Sequence, residues 1–417
     1  MACKQINNET DVSRWKQPSS KPEKRVLFVL GILWGENGIT THLLTLAKGL
    51  QKSGWTVGLV TKLADDSPQA LHQAQRAITL FESNGICCYQ VDFLYFKFNP
   101  MNIFYSFISI IRLNQAISDF NPSIVHLHSL SISPYIYLLQ KFHRFPYLST
   151  CHMEPKENRS SVKFGKYLKK ITQVILGQKI IAVSHVLRDS FVNVMGISKE
   201  KISLIHHGID DDHFRPPSPC ERQQARQSLG ISDASNIVCM IGRLAPEKGH
   251  STLIKSLSDL RLNGIEIHVL FAGQGYASEE DHIIECSDTL GVRDLIHLIG
   301  YSDTRQTLWA SDVIVLPSQA QTEAFALVIA EAMLCGVMPI RTPGAGATDQ
   351  IEEGVNGYLI PFEDSDVLTR RLKEVLEDRI KLNKMSTLSV QKAQNEFTSI
   401  QMIAKTISVY TELINKK

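Results

Sequence analysis

Short apolar runs alternate with amphipathic segments along most of the chain. The first two runs are KRVLFVL (24–30) and TVGLVTKL (56–63), and between them lie a glycine-bearing loop (31–38) and an amphipathic helix predicted over Thr40–Lys52. A strand, a loop, a helix and a second strand at this spacing predict a parallel βαβ unit. Further strands are predicted at 124–128, 147–150 and 179–184.

The same alternation restarts after a proline-rich segment, FRPPSPC (214–220), which we interpret as a linker. A helix is predicted to begin near Ala326 or Leu327, and long helices over Ser365–Glu377 and from about Gln391 onward. The predicted strands of this half are 237–241, 267–272, 295–299, 312–317 and 337–341. We therefore expect an α/β fold with two doubly wound parallel sheets, and ligands at the carboxyl ends of the strands.

The length of 417 residues also favours two domains, because one hydrophobic core rarely grows so large. The pattern predicts these segments: a disordered lead (1–24), an N-terminal domain (25–213), a linker (214–222), a C-terminal domain (223–395) and a closing helix (396–417). We expect the closing helix to pack back toward the N-terminal domain.

Charge is balanced overall but not along the chain. The formal net charge is +2, yet residues 1–215 hold 25 basic and 16 acidic side chains, and residues 216–417 hold 19 and 26. This split argues against a uniformly basic nucleic-acid binder and indicates two domains with different partners. The eight cysteines form no CxxC pair, and neither a secretory signal nor a membrane span is evident, so we expect a cytoplasmic protein.

Two carboxylates mark the segment PSQAQTEAFALVIAEAMLCG (317–336). Glu323 precedes the predicted helix, and Glu331 lies within it among apolar neighbours. A carboxylate in such surroundings is costly unless hydroxyls or cations meet it, although a solvated position on an otherwise buried helix is the alternative. The pair could hold both ends of a sugar nucleotide, with its phosphates beside the helix N-terminus.

Two cations mark the segment GRLAPEKGH (242–250). Arg243 follows a predicted strand, and Lys248 stands five residues later at the start of the next helix. This placement aims both side chains at one anion near the strand ends, where charge-assisted contacts are strong. Two unrelated surface cations on a loop are the alternative.

The HLH sequence formed by His126, Leu127 and His128 has a spacing that metal ions accept. We expect the two imidazoles to point to opposite faces of their strand. The sequence therefore predicts no metal ligands.

These motifs, in their order along the chain, resemble retaining glycosyltransferase family 4. The likeness runs from about Arg25 onward and is carried by IIAVS (180–184), HHGIDDDHF (206–214), GRLAPEKG (242–249), FAGQG (271–275), TEAFALVIAEAMLCG (322–336) and VNGYLI (355–360). It implies the GT-B fold: two Rossmann-like, doubly wound parallel-sheet domains that face an interdomain cleft, with the donor site mainly in the C-terminal half.

The resemblance also implies roles for residues of the C-terminal half. Arg243 and Lys248 would neutralise the donor diphosphate without a metal or another cofactor. Glu323 would face the transferred sugar, and Glu331 would bind the ribose hydroxyls. Backbone amides at the helix start would contact sugar and phosphate: Phe325, Ala326 and Leu327.

In the N-terminal half, Gly38 at its helix start would approach the phosphates, and His152 matches the sugar-facing histidine of the family. A satisfied structural histidine is the alternative for His152. The sequence departs from the family pattern at Ala324, Ala326, His207 and Asp349, where glycine, glycine, asparagine and glutamate are usual. The two added methyl groups bear on the shape of the sugar pocket.

The resemblance implies transfer of a sugar from a nucleotide diphosphate to a glycan, lipid-linked or small-molecule acceptor, with retention of the anomeric configuration. The nucleotide is expected to be uridine diphosphate, because uridine donors are frequent in the family. A nucleotide-sugar epimerase built on the same two-domain shell and a non-catalytic nucleotide-sugar binding module are the alternatives. The basic, aromatic-rich N-terminal half, for example FLYFKF (93–98), also suits an acceptor at an anionic inner membrane face.

Overall fold

Two separate parallel sheets organise the chain. The computed structural model describes residues 24–92, 100–153, 173–301, 303–319 and 324–416, with the backbone alone for 100–106. The predicted lead and the FLYFKF segment therefore lie outside the described residues, apart from Lys24. Unit 1 consists of Met1–Val183, Leu187–Gly208 and Ser399–Lys417, and unit 2 of Ser184–Val186 and Ile209–Thr398.

Unit 1 contains a seven-stranded parallel sheet in the order β3-β2-β1-β4-β5-β6-β7. The strands are β1 (Arg25–Leu33), β2 (Thr56–Leu63), β3 (Cys87–Gln90), β4 (Ile124–Leu127), β5 (Tyr147–Cys151), β6 (Lys179–Ala182) and β7 (Ile202–Leu204). The helices are α1 (Gly38–Lys52), α2 (Pro68–Ser83), α3 (Pro100–Phe120), α4 (Ser133–His143) and α5 (His185–Asn193). The central strand β1 is buried along most of its length, as a parallel strand covered on both faces must be.

Unit 2 contains a six-stranded parallel sheet in the order β10-β9-β8-β11-β12-β13. The strands are β8 (Asn236–Ile241), β9 (Ile267–Ala272), β10 (Ile296–Gly300), β11 (Val313–Leu316), β12 (Met338–Arg341) and β13 (Tyr358–Leu359). The helices are α6 (Pro219–Ser228), α7 (His250–Leu262), α8 (Ala277–Thr289), α9 (Thr304–Ala310), α10 (Leu327–Leu334), α11 (Ala347–Gln350), α12 (Ser365–Leu376) and α13 (Arg379–Glu396). The expectation of two doubly wound parallel sheets is confirmed.

Two predicted boundaries are wrong. β1 extends three residues into the predicted loop because Ile32 and Leu33 pair with the end of β2. The single long helix predicted from about Gln391 is two helices, α13 and α14 (Ser399–Asn415). The apolar side chains of α14, including Met402 and Tyr410, belong to the hydrophobic core of unit 1.

Each sheet has one point at which the strand order reverses. In unit 2 the chain runs from β8 outward through β9 to β10, and then returns to pair β11 with the other side of β8. The loops that follow β8 and β11 therefore diverge from neighbouring strand ends. Crevices of this kind are where doubly wound sheets bind ligands. In unit 1 the corresponding point lies between β1 and β4.

None of the described helices is both long enough and apolar enough to cross a bilayer.

A buried ionic cluster around Asp312 fixes the edge of unit 2 opposite that crevice. Its carboxylate accepts from Arg222 at 2.9 Å, Arg226 at 3.0 Å and Arg379 at 2.8 Å. It also accepts from the backbone N–H of Ile237 at 2.8 Å, which ties the start of β8 to the start of β11. The Asp312 side chain is 7% exposed, so removing its charge leaves three guanidinium groups without their shared partner.

We expect Asp312→Ala to lower the free energy of unfolding by about 3–5 kcal/mol, because it leaves a buried charge uncompensated. Urea unfolding followed by circular dichroism measures this loss. Asp294→Ala is the control, since Asp294 pairs with Arg261 on the surface and its side chain is 62% exposed; its expected cost is below about 1 kcal/mol. Equal losses in the two variants would contradict the structural role of the cluster.

Candidate functional site

Four loops at the carboxyl edge of the unit 2 sheet form one connected rim. The described residues of these loops follow β8, β9, β11 and β12 in turn: 242–249, 273–276, 317–319 with 324–326, and 342–346. Across the β8 and β11 ends, the Gln319 N–H donates to the Glu247 carbonyl at 2.9 Å. Across the β8 and β9 ends, the Leu244 N–H donates to the Gln274 carbonyl at 3.2 Å.

Two glycines allow these loops to approach so closely. Gly249 has a φ of +80°, and a Cβ atom there would lie 2.4 Å from the Pro317 carbonyl oxygen. Gly273 has a φ of +144°, and its Cβ would lie 1.9 Å from the Gly242 carbonyl oxygen. Any larger residue would force the rim apart.

Arg243 lies on this rim with its side chain 54% exposed. Its guanidinium forms an ion pair with Glu247 and lies 5.7 Å from the centre of the Tyr276 ring. The nearest guanidinium nitrogen is 3.4 Å from the Tyr276 hydroxyl. An anion that binds Arg243 therefore meets a cation already oriented by two neighbours, and competes with one carboxylate.

Lys248 ends the single 3₁₀ turn Pro246–Lys248 in the same loop, immediately before α7. It is half-buried. The structure thus places both predicted cations between β8 and α7, at the edge where the strand order reverses.

Glu331 is buried in α10, where it is 9% exposed and most residues around it are apolar. Burial raises the pKa of its carboxyl group to about 7. Within the described residues, its carboxylate has no hydrogen bond or ion pair. Such a group gains much from a polar ligand that donates hydroxyl hydrogen bonds.

The N-terminus of α10 lies on the same edge. Its N-cap residue, Ala326, has no side chain that could accept from the first backbone N–H groups. Gln350 stabilises the loop that precedes α10, because its side-chain amide donates to the Ala326 carbonyl at 2.8 Å. Phe325, Ala326 and Leu327 are thus placed beside an uncapped helix end, which favours anions. Glu323 lies outside the described residues.

The two predicted residues of unit 1 also follow strand ends. Gly38 is the first residue of α1, and the Asn37 side chain accepts from the backbone N–H groups of Ile39 and Thr40. His152 directly follows β5 and is half-buried. Burial lowers the pKa of His152 to about 4, so the imidazole is neutral at neutral pH.

The expectation that His126 and His128 point apart is wrong. Side chains two positions apart in a strand share a face, and the two ring centres are 4.1 Å apart. His128 also contacts His152, with 3.1 Å between Nδ1 of the first and Nε2 of the second. His42 and His207 lie in the same group, with their Nδ1 atoms 2.9 Å apart.

Sequence reasoning missed several of these residues. Glu247 stands four positions after Arg243 and could have been recognised as its partner. The contacts of Tyr276, Gln350 and His42 join elements far apart in sequence, and no local pattern indicated them.

Two family models match the two halves of the chain. Residues 36–213 match the family described as Glycosyltransferase Family 4, and residues 221–390 match Glycosyl transferases group 1. The chain is 26% identical to mannosylfructose-phosphate synthase of Agrobacterium fabrum over 390 residues, which cover 87% of this chain and 83% of the relative.

Two solved structures share the architecture. A glycosyltransferase from Rickettsia africae ESF-5 aligns with a TM-score of 0.80 at 21% identity, covering 95% of this chain and 100% of that one. The Anabaena protein HepE, solved in complex with UDP and glucose, aligns with a TM-score of 0.73 at 21% identity, covering 93% and 99%. The fold of the chain is GT-B.

The raised pKa of Glu331 gives a test of its burial without any ligand. Between about pH 4.5 and 7 the folded chain binds more protons here than the unfolded chain, so stability falls as pH rises through this window. Glu331→Gln, which is neutral at every pH, lacks this loss. We expect it to exceed the ligand-free parent by on the order of 1–3 kcal/mol at about pH 8 and by much less at about pH 5.

Thermal unfolding at the two pH values measures this difference. Glu280→Gln, on the exposed surface of α8, is the matched control and should follow the parent at both. A pH-independent difference between Glu331→Gln and the parent would show that the carboxyl group is not desolvated.

Proposed function

Because this chain belongs to glycosyltransferase family 4, we propose that it transfers a sugar from a nucleotide diphosphate donor to an acceptor and retains the anomeric configuration. The observation that carries the donor assignment is the connected rim of unit 2. One edge of one sheet presents the cations Arg243 and Lys248, an uncapped helix end and a buried carboxyl group. A sugar nucleotide offers a partner for each: phosphates, sugar and ribose hydroxyls.

The diphosphate is proposed to bind between the loop 242–249 and the start of α10. Arg243 and Lys248 supply positive charge from one side, and the backbone N–H groups at Ala326 and Leu327 supply hydrogen bonds from the other. Neither of the loops 242–249 and 342–346 contains the paired acidic residues of a DxD metal site. We therefore propose that protein cations, without a divalent metal, stabilise the charge that develops on the leaving phosphate.

Glu331 is proposed to bind the ribose. It lies one helical turn inside α10, beyond the proposed phosphate position, where a nucleoside would extend. The ribose hydroxyls would replace the water that this carboxyl group has lost on burial. The uridine base is our proposal, supported by the Anabaena relative that was solved with UDP.

Two residues are proposed to recognise the transferred sugar: Glu323, as the family resemblance implies, and His152. A neutral imidazole at His152 can donate one hydrogen bond to a sugar hydroxyl without adding charge. Ala324 and Ala326, where the family usually has glycine, each add a methyl group, and we propose that these methyl groups affect the choice of sugar. We propose a front-face substitution, in which the leaving phosphate takes the acceptor proton; a double displacement through Glu323 is the rival.

The acceptor is proposed to be a glycan, a lipid-linked sugar or a small molecule, bound on the unit 1 side. The excess of basic side chains in residues 1–215 supports an anionic acceptor or an anionic membrane surface. We propose a cytoplasmic enzyme that works at or near the inner face of the membrane.

Arg243→Ala and Lys248→Ala test the phosphate site. We expect each to lower kcat/KM for the sugar nucleotide by about 10–100-fold, because each removes one charge-assisted contact. A panel of nucleotide sugars, assayed by release of free nucleotide, identifies the donor and gives these constants. Lys255→Ala removes an exposed cation from α7 and should leave them unchanged. Unchanged kinetics in both rim variants would refute the phosphate assignment.

Glu323→Gln tests the mechanism. We expect activity to fall by at least about 100-fold, as when an electrostatic contact to the transition state is lost. Anomeric NMR of the product should show retention. Intact mass spectrometry of the parent, incubated with donor alone, should show no bound sugar; a covalent hexose on the parent that disappears in Glu323→Gln would establish the double displacement instead.

A further inference from the structure

His128 is held by the sheet of unit 1 and contacts His152. It directly follows β4, and its backbone N–H donates to the Val29 carbonyl of β1 at 2.8 Å. The ring of Phe28 packs edge-on against its imidazole, with 5.2 Å between the ring centres. His152 follows β5, the strand that pairs with β4. The imidazole of His128 is therefore a fixed group against which His152 is held.

The two imidazoles meet edge to edge. Nδ1 of His128 is 3.1 Å from Nε2 of His152, the ring centres are 5.4 Å apart, and the ring planes differ by 23°. This separation of the centres is close to the largest that such a nitrogen–nitrogen distance allows, so both nitrogens lie near the line between the centres. A linear N–H···N hydrogen bond has this geometry. His42 and His207 meet differently, because their centres are only 4.1 Å apart.

One proton joins the two rings, because both rings are neutral. Burial lowers the pKa of His152 to about 4, and burial together with the neighbouring imidazoles lowers the pKa of His128 well below its usual value. At neutral pH each ring therefore carries a single proton, on one of its two nitrogens. Only one of the two rings can donate to the other.

The second nitrogen of His128 indicates which ring donates. Its Nε2 atom is buried and has no hydrogen-bond partner in the described part of the chain. If His152 donated, the proton of His128 would be on this atom, and a buried N–H without an acceptor is rare in proteins. If His128 donates from Nδ1, its Nε2 keeps only a lone pair. The structure thus favours donation by His128, which leaves the proton of His152 on Nδ1.

Nδ1 of His152 is the nitrogen that remains for a ligand. It has no hydrogen bond within the described residues, and the side chain is half-buried. Two further rings pack against this imidazole: His207 lies nearly parallel to it at 5.3 Å, and His42 lies edge-on at 5.3 Å. This packing hinders rotation of the ring. An Nδ1–H held in this way donates a hydrogen bond and does not accept one.

We propose that His128 is a positioning residue, whose Nδ1–H holds His152 in the tautomer that donates from Nδ1 to a hydroxyl oxygen of the transferred sugar. This inference rests on the proposed contact between His152 and the sugar. Free histidine in water prefers the opposite tautomer, with the proton on Nε2, so the contact with His128 has to impose this one. Without that contact, part of the molecules would present a lone pair to the sugar hydroxyl instead of a proton.

The tautomer is measured first, on the full chain without any ligand. Long-range ¹H–¹⁵N correlation spectra of protein labelled with ¹⁵N-histidine distinguish protonated from unprotonated ring nitrogens. Spectra of His152→Gln and His128→Asn assign the two signals. At neutral pH we expect His128 and His152 each to be protonated at Nδ1 only. Protonation of His152 at Nε2 in the parent would overturn the proposal.

Two substitutions of His128 then separate positioning from folding. An asparagine side chain can place an amide N–H near the position of Nδ1, whereas glutamine places it near the position of Nε2. We expect His128→Gln to lower kcat/KM for the donor about 10-fold, as for one lost hydrogen bond, and His128→Asn to lower it by less than about 3-fold. His152 should become protonated at Nε2 in His128→Gln.

His126→Gln is the matched control. His126 is as buried as His128, but it contacts the hydroxyl groups of Tyr410 and Thr150. We expect this variant to lose thermal stability and to keep the parental tautomer of His152.

Equal losses of kcat/KM in the two His128 variants, or an unchanged tautomer of His152 in His128→Gln, would overturn the positioning role. If the parent turns over no nucleotide sugar, the proposed function fails, and the spectra still decide whether His128 sets the tautomer of His152.

Discussion

Parallel pairing of β8 with both β9 and β11 is the constraint from which the donor side of this protein follows. Three parallel neighbours end on the same edge of the sheet, so the loops that follow them begin side by side there, around the crevice. Close approach then requires glycine where one loop carbonyl lies against the next, as at Gly249 and Gly273. The cations and the start of α10 are held at this edge.

Asp312 and Glu331, two buried carboxyl groups of unit 2, differ in whether the protein supplies partners for their charge. Asp312 is surrounded by three guanidinium groups and a backbone N–H, so its charge is fully compensated within the protein. Glu331 has no such partners among the described residues, and its pKa rises. A compensated group stabilises the fold, whereas an uncompensated group is what a ligand can stabilise.

Local pattern predicted the strands and the start of α10 well, because apolar runs of four to six residues are strong signals. It missed β3, β7 and β13, which have four, three and two residues and little periodicity. It placed Arg243 and Lys248 correctly after β8, because a loop after a strand is a local feature. It could not foresee the histidine cluster, whose members meet only when β4, β5, β7 and α1 assemble.

The helix α14 belongs to unit 1 although it is the last helix of the chain, and this affects the order in which the two units can fold. Its side chains complete the core of the unit that contains the earliest strands, although all of unit 2 is translated between them. During synthesis, domains generally fold as they emerge from the ribosome. Here unit 2 can fold first, because all of it is translated before α14. The sheet of unit 1 is translated earlier, but its apolar face beside β1 and α1 stays uncovered until α14 has been made. We therefore expect the unit that is translated first to complete its core last, and until then its apolar surface is exposed to aggregation.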